Sequence, residues 1–315
     1  MLQYMIILLD DTSASFCHYE VNKSERRLIS LDDLKAGVRF AMIENLTIQF
    51  VYPDYELPQE YKDVIHTIDH SDIKPIEIAT SDTDVVTLNG WKWLDAKHDL
   101  SSLVVVLRTS LQDLFNHSEH VKEMLSIVQR LNIVITDVEK FTHEQQTVYS
   151  EWLEGIGKNI ENLYVNGKSP QFNLLTDRMM LTAMNNCGAG DSCITLAPNG
   201  RFYICPAFYY DNPDDNAGSL ADGLNIRNRQ LYKLNHAPIC RECDAWHCKR
   251  CIWLNRKLTL EVNTPSHEQC VMAHLERKAS RQLLTNIREQ GTFLPQNPDI
   301  PELDYLDPFD IIINK

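Results

Sequence analysis

The sequence lacks long apolar runs and any excess of positive charge. Its hydrophobic stretches, such as residues 103–107, fall far short of the roughly 20 residues that a membrane-spanning helix needs. With 30 basic and 44 acidic residues, the net charge of −14 repels phosphate backbones and anionic lipids. We therefore expect neither nucleic acid nor a membrane as a partner. The first ten residues do not resemble a signal peptide, so a cytoplasmic protein is expected.

Cysteine is almost absent from the first part of the chain. Only Cys17 precedes residue 187, whereas the other eight cysteines fall within the 84 residues from Cys187 to Cys270. Disulfides are rare in a reducing cytoplasm, so this density indicates thiolates that bind a metal or a cluster. The chain therefore divides, near residues 180–186, into a cysteine-poor part and a cysteine-rich part.

The cysteine-poor part alternates between short apolar runs and helical patterns, in a chain of 315 residues that is 43% hydrophobic. Strands are expected at residues 5–9, 46–52, 76–78, 85–88, 103–107 and 133–138. Helices are expected at residues 31–45, 58–68, 110–131 and 142–163, and a later one at 271–289. Such alternation predicts an α/β fold with a mostly parallel sheet, either open or a partial barrel.

A hairpin is expected between Cys193 and Cys205. Apolar residues alternate on both sides of a Pro198-Asn199-Gly200 turn, in which Gly200 can adopt the positive φ that the turn needs. The hairpin would bring the two sulfurs together, which is a physical reason for both to serve one site. Eight thiolates suit two four-thiolate sites, and the spacing leaves iron–sulfur clusters, two Zn²⁺ ions or disulfides as the alternatives.

The cysteine-rich part resembles the SPASM domain, the auxiliary-cluster module of radical SAM peptide and protein maturases. The family pattern is a cysteine, a dozen residues, a glycine, four residues, a cysteine, then a cysteine quartet and a final cysteine. The matching residues are Cys187, Gly200, Cys205, the quartet Cys240, Cys243, Cys248 and Cys251, and the final Cys270. The additional Cys193 is present in family members that carry two complete clusters.

The resemblance implies how the cysteines divide between two [4Fe-4S] clusters. The first cluster would be held by Cys187, Cys193, Cys205 and Cys251. The second would be held by Cys240, Cys243, Cys248 and Cys270. The last two spacings within the quartet are each one residue shorter than the family's usual pattern.

The N-terminal part resembles a radical SAM barrel without its cofactor motif. That family places CxxxCxxC after the first strand, but here Asp10 and Ala14 stand where the first two cysteines should be, and only Cys17 matches. A Tyr52-Pro53-Asp54 turn replaces the Gly-Gly-Glu-Pro turn that binds the methionine part of SAM. One thiolate cannot hold a cluster with an open iron, so we expect no SAM.

The resemblance therefore implies a degenerate radical SAM-like partial (β/α) barrel over residues 1–182. A SPASM domain would follow over residues 183–290, and residues 291–315 would form a docked or frayed tail. Within this group the sequence resembles the CXXX repeat peptide maturase family, and more distantly the grasp-with-spasm SPASM peptide maturases. Three segments suggest it: residues 202–211 (FYICPAFYYD), 243–256 (CDAWHCKRCIWLNR) and 261–280 (EVNTPSHEQCVMAHLERKAS).

The family resemblance implies maturation of a ribosomally made peptide with cysteines four residues apart. In one hypothesis the protein is a SAM-independent peptide-modifying enzyme, with Cys17, Asp10 and Asp11 as candidate catalytic residues. Packing for Cys17 and turn capping for the two aspartates are the alternative roles. In the other hypothesis it is a non-catalytic adaptor that holds the precursor for a modifying enzyme or exporter of the same pathway, or a zinc-bound structural module.

Overall fold

The computed structural model describes residues 1–23, 25–95, 98–303, 305 and 307. The strands are β1 (Tyr4–Leu8), β2 (Thr47–Val51), β3 (His70–Pro75), β4 (Val85–Asn89), β5 (Val104–Thr109), β6 (Arg130–Ile135), β7 (Gln171–Phe172), β8 (Cys193–Leu196), β9 (Phe202–Tyr203), β10 (Gly218–Ser219) and β11 (Gly223–Leu224). The helices are α1 (Leu31–Glu44), α2 (Gln59–Ile65), α3 (Leu111–Asn116), α4 (Ser118–Ile127), α5 (His143–Val165), α6 (Thr176–Met180), α7 (Pro206–Asp211), α8 (Ile252–Thr259) and α9 (His267–Gln290). Among the residues described, no helix is long and apolar enough to cross a membrane.

The chain forms two compact units. The first unit comprises residues 1–98 and 188–236, and the second comprises residues 99–187 and 237–315. Each unit takes segments from both sides of residue 183, where the sequence places the start of the SPASM domain. The functional domain boundaries stay a prediction, because they are defined by cofactor binding and not by backbone compactness.

The first unit contains a parallel sheet that includes the cysteine hairpin. Its strands lie in the order β4–β3–β2–β1–β8, all parallel, and β9 pairs antiparallel with β8. Ile7, Phe50 and Leu196 in these strands are fully buried, as expected for a parallel sheet covered by helices. The expected hairpin is confirmed, and Gly200 has a φ of +73° in its turn.

The second unit contains the parallel strands β5, β6 and β7 and the two longest helices described, α5 and α9. Both helices begin with a capping box, formed by Thr142 with Gln145 and by Ser266 with Gln269. The helices pack against each other, and Ser280 of α9 donates a hydrogen bond to the carbonyl oxygen of Leu175 at 2.8 Å. Helix α9 therefore has a fixed position in this unit.

Two expected elements were wrong. Residues 76–78 form a 3₁₀ turn, and the strand comes before it as β3. The sequence of β3 is polar, so a search for apolar runs could not reveal this strand. In the fold, Asp72 pairs with His70 at 3.4 Å and with Lys74 at 2.7 Å. The long helix expected over residues 110–131 is broken at His117 into α3 and α4, and β6 already begins at Arg130.

The described part of the C-terminal tail is docked on the second unit. Arg288 of α9 donates to the carbonyl oxygens of Leu294 and Asn297, at 2.7 and 2.8 Å. The Asn297 side chain donates to the carbonyl oxygen of Met179 at 3.0 Å. The remaining residues of the predicted tail, 304, 306 and 308–315, lie outside the described residues.

Candidate functional site

The second unit gathers four cysteines around one small cavity. Cys240, Cys243, Cys248 and Cys270 line it. Cys240 begins a 3₁₀ turn and Cys243 ends it as the C-cap. The N–H of Cys248 donates to the carbonyl oxygen of Ala245 at 3.0 Å, and Cys270 belongs to the first turn of α9. These are the four residues implied for the second cluster. The structure brings them together, and their binding of iron stays a prediction.

Burial opposes ionisation of these thiols. It raises the pKa of Cys240 to about 11 and that of Cys248 to about 12, and it also raises the pKa of Cys243. The guanidinium of Arg250 partly offsets the shift at Cys240. Metal ligands must be thiolates, so a bound cation has to offset the desolvation of the charged sulfurs.

Four thiols are the donor type that structural zinc sites and iron–sulfur clusters take. Among the described residues, no three His, Cys, Asp or Glu side chains stand where they could hold a metal ion. The cavity measures about 20 Å³, which is room for one water. A cubane cluster is larger than this space, so the cysteine side chains would have to move apart to admit it.

One face of α9 holds the cysteine loop. Cys270, His274 and Arg277 lie four and three residues apart on this helix, so they share one face. His274 Nε2 lies 3.4 Å from the Sγ of Cys243, and burial lowers the pKa of this histidine to about 4, which leaves the imidazole neutral at pH 7. Arg277 forms two hydrogen bonds with the carboxylate of Asp244, at 2.7 and 2.5 Å.

A second buried chain of hydrogen bonds ends beside Cys248. Tyr149 of α5 donates to Glu276 Oε1 at 2.6 Å, and Glu276 Oε2 lies 2.9 Å from His247 Nε2. All three residues are buried, so the carboxylate of α9 fixes the residue directly before Cys248. Sequence reasoning missed Glu276 and Arg277. Their spacing from Cys270 on a predicted helix is the signal that could have found them.

The four cysteines implied for the first cluster belong to different units. Cys187 and Cys251 lie in the second unit, where burial and then the neighbouring Cys187 raise the pKa of Cys251 to about 12. Cys193 and Cys205 lie in the first unit at the two ends of the β8–β9 hairpin. Within the hairpin Thr195 pairs with Tyr203, and Cys205 follows β9 as the N-cap of α7.

Asp10 stands at the first cysteine position of the missing SAM motif, directly after β1. The side chain is fully buried, and its Oδ1 accepts hydrogen bonds from the N–H and hydroxyl of Thr12, at 2.8 and 2.6 Å. Its Oδ2 accepts from the hydroxyl of Tyr55 at 2.9 Å. The N–H of Ala14, at the second position, donates to the carbonyl oxygen of Tyr52 at 2.9 Å. Asp10 therefore caps this turn.

Asp11 is the centre of a separate cluster in the first unit. It accepts a short hydrogen bond from Tyr209 and pairs with Arg27 at 3.3 Å. The Nζ of Lys23 lies 3.9 Å from this carboxylate and 3.5 Å from the centre of the Tyr209 ring, and burial lowers the pKa of Lys23. The candidate acids Asp10 and Asp11 thus have different partners. Cys17 is half-buried in the loop that follows them.

Solved structures of one protein share this fold. Native anSMEcpe with bound AdoMet and the Cp18Cys peptide matches with a TM-score of 0.60 and 12% identity, covering 91% of this chain and 99% of that chain. A hexahistidine-tagged anSMEcpe with bound AdoMet matches with a TM-score of 0.62 and 12% identity, covering 92% and 96% of the two chains. No protein-family model and no curated protein sequence matches the chain significantly.

The chain has a radical SAM-like α/β fold. This likeness confirms the predicted α/β fold class. At 12% identity the likeness shows the fold alone. The AdoMet in those structures gives no support to the prediction that this chain binds no SAM. That prediction depends on the loop of residues 10–17, the motif loop, and on the Tyr52-Pro53-Asp54 turn after β2.

Replacing Arg277 with methionine should lower the free energy of unfolding by about 3 kcal/mol. The side chain is 2% exposed, and its loss leaves Asp244 without its bidentate partner. Arg281→Met is the matched control on the same helix, because its partner Glu302 is largely exposed and such a pair contributes little. Chemical denaturation of both variants measures the difference. Equal losses would show that the Arg277 pair does not fix the loop.

Proposed function

We propose that the protein matures a ribosomally made peptide with cysteine repeats, that it holds two [4Fe-4S] clusters and that it does not use SAM. The observation that carries the proposal is the gathering of Cys240, Cys243, Cys248 and Cys270 around one buried cavity. The likeness in fold to an anSMEcpe structure that contains a peptide supports a peptide as the partner.

These four cysteines would hold the second cluster, and such a cluster supplies electron transfer when it is bound. The chain's own groups prepare the site by exclusion of water and by hydrogen bonding. The N–H of Ala245 donates to the Sγ of Cys243 at 3.4 Å, and His274 lies at the same distance from it. Donors to a ligand sulfur stabilise its negative charge and favour the reduced cluster.

The motif loop supports the absence of SAM chemistry. A radical SAM cluster needs three thiolates in this loop, whereas the carboxylate of Asp10 accepts hydrogen bonds from Thr12 and Tyr55. Tyr210 also reaches this loop, with its hydroxyl 3.5 Å from the carbonyl oxygen of Ser13 and its ring stacked on Tyr19. These contacts support the proposal that the loop holds no SAM cluster.

The adaptor role is the second candidate function. Eight cysteines saturate two clusters and leave no iron open to substrate, which favours electron transfer, structure or precursor binding over direct ligation of the peptide. In this case the cysteine-repeat peptide would be held for a modifying enzyme or exporter of the same pathway. Zinc in both sites would favour a structural role in the same way.

SAM should neither bind nor be cleaved. Calorimetric titration of the anaerobic protein with SAM, and a search for 5′-deoxyadenosine under reducing conditions, measure the two steps. A SAM-cleaving radical enzyme, treated in parallel, shows that the assay works. Detection of 5′-deoxyadenosine with this protein would mean that the motif loop is misaligned and that the SAM-independent function is wrong.

Cys270→Ser should remove about half of the iron, because it takes one ligand from the second cluster only. Cys17→Ser is the control, and it should keep the iron content and stability of the wild type, because we place it outside both clusters. Iron and acid-labile sulfide per chain, measured after anaerobic purification, compare the variants.

The maturation of a co-expressed precursor then separates the two functions. Lost maturation in Cys17→Ser with full iron indicates thiol chemistry by this residue, and unchanged maturation favours the adaptor role. Loss of iron in Cys17→Ser would contradict the claim that the radical SAM site is absent. Unchanged iron in Cys270→Ser would contradict the assignment of the second cluster.

A further inference from the structure

A second cavity lies in the second unit and shares no lining residue with the cysteine cavity. Its volume is about 500 Å³, which is typical of cavities that enclose a ligand. It lies at the amino ends of two parallel strands, because Arg130 and Gln171 are the first residues of β6 and β7. Ligands that react on an α/β sheet bind at the carboxyl ends of the strands, so this cavity suits binding without chemistry.

The walls of the cavity are mainly apolar. Ile160 and Tyr164 come from α5, Met179 and Met180 from α6, and Ile287 from α9. Methionine side chains are flexible and adapt to occupants of different shape. Met180 is 55% exposed, so the apolar surface continues to the solvent. An occupant would therefore insert an apolar group past this residue.

The polar groups of the cavity select an uncharged occupant. Arg130 donates to Asp177 Oδ2 at 2.7 Å and to Gln171 Oε1 at 3.3 Å. Among the described lining residues, Arg130 and Asp177 are the only charged ones, and their charges cancel. A phosphate or carboxylate ligand needs a cation that is not already paired. Nucleotides and acidic ligands are therefore poor occupants, whereas a neutral peptide backbone can bond to the amide of Gln171.

One wall of the cavity is bonded to the cysteine loop. Leu181 and Asn185 line the cavity and come shortly before Cys187 in the chain. The N–H of Asn185 donates to the carbonyl oxygen of Trp246 at 2.9 Å, and the N–H of Cys187 donates to that of Lys249 at 3.3 Å. The same backbone segment therefore borders both the cavity and the loop that carries Cys248.

We propose that this cavity anchors the precursor peptide by an uncharged apolar stretch, with one large aliphatic or aromatic side chain inserted between the methionines of α6. The inference rests on the proposed function, which supplies the peptide. Anchoring beside the cysteine loop raises the effective concentration of the peptide's reactive residues near the clusters. The anchor determines which peptides bind and takes no part in the chemistry.

A pair of synthetic peptides tests the anchor on the full-length protein. One peptide carries two leucines followed by two Cys-Gly-Ser-Gly repeats, and the other has aspartates in place of the leucines. Fluorescence anisotropy should show that the wild type binds the leucine peptide at least about tenfold more tightly. Photo-leucine in the same peptide should crosslink to Met179, Met180 or Leu294, which line the cavity.

Met180→Arg should abolish this preference, because it sets a charge at the apolar rim. Met42→Arg is the matched control, since Met42 is an exposed methionine on α1, in the first unit. Equal affinity for the two peptides, crosslinks outside the cavity, or an unchanged preference in Met180→Arg would each overturn the anchor. A protein that prefers the leucine peptide but contains no iron would contradict the proposed clusters and leave the anchor intact. A protein that contains iron but binds the two peptides equally would contradict the anchor and leave the proposed clusters intact.

Discussion

The bidentate pairing of Arg277 with Asp244 is the interaction on which the candidate site depends. Asp244 follows Cys243, and Arg277 lies two turns of α9 after Cys270, so the pair ties two cysteines that are distant in sequence to one helix. Burial raises the pKa of Cys240, Cys243 and Cys248, and the Arg277–Asp244 pair holds their loop beside α9. The charges on α9 position the loop, and the cavity follows from that position.

In the first unit, too, buried carboxylates are matched with hydrogen-bond donors. Asp10 and Asp11 follow β1, and each carboxylate has its own set of donors. Tyr209, from the helix that follows the β8–β9 hairpin, supplies one of them. The hairpin pairs with β1 in the same sheet, so its downstream helix reaches the motif loop. Hydrogen bonds to these two carboxylates hold the loop.

Much of the fold could be predicted because its strands are apolar and its helices are well capped. Ser30 caps α1, with its hydroxyl accepting from the N–H of Asp33, and the turn at Gly200 is where the sequence predicts it. Strand β3 was not predicted because its sequence is polar, and in the fold its polar side chains pair with one another. The resemblance implied the four cysteines that meet at one cavity, and their binding of iron stays a prediction. The helical spacing of Glu276 and Arg277 from Cys270 could have suggested these two residues, but it does not reveal their partners His247 and Asp244.

The central claim is that the gathered cysteines hold iron and sulfide. Anaerobic purification of the wild-type chain, with iron, acid-labile sulfide and zinc quantified per chain, tests it most directly. We expect about eight irons and about eight sulfides per chain, in proportion to two cubane clusters. About two zinc ions with negligible iron would contradict the account and make both sites structural zinc centres.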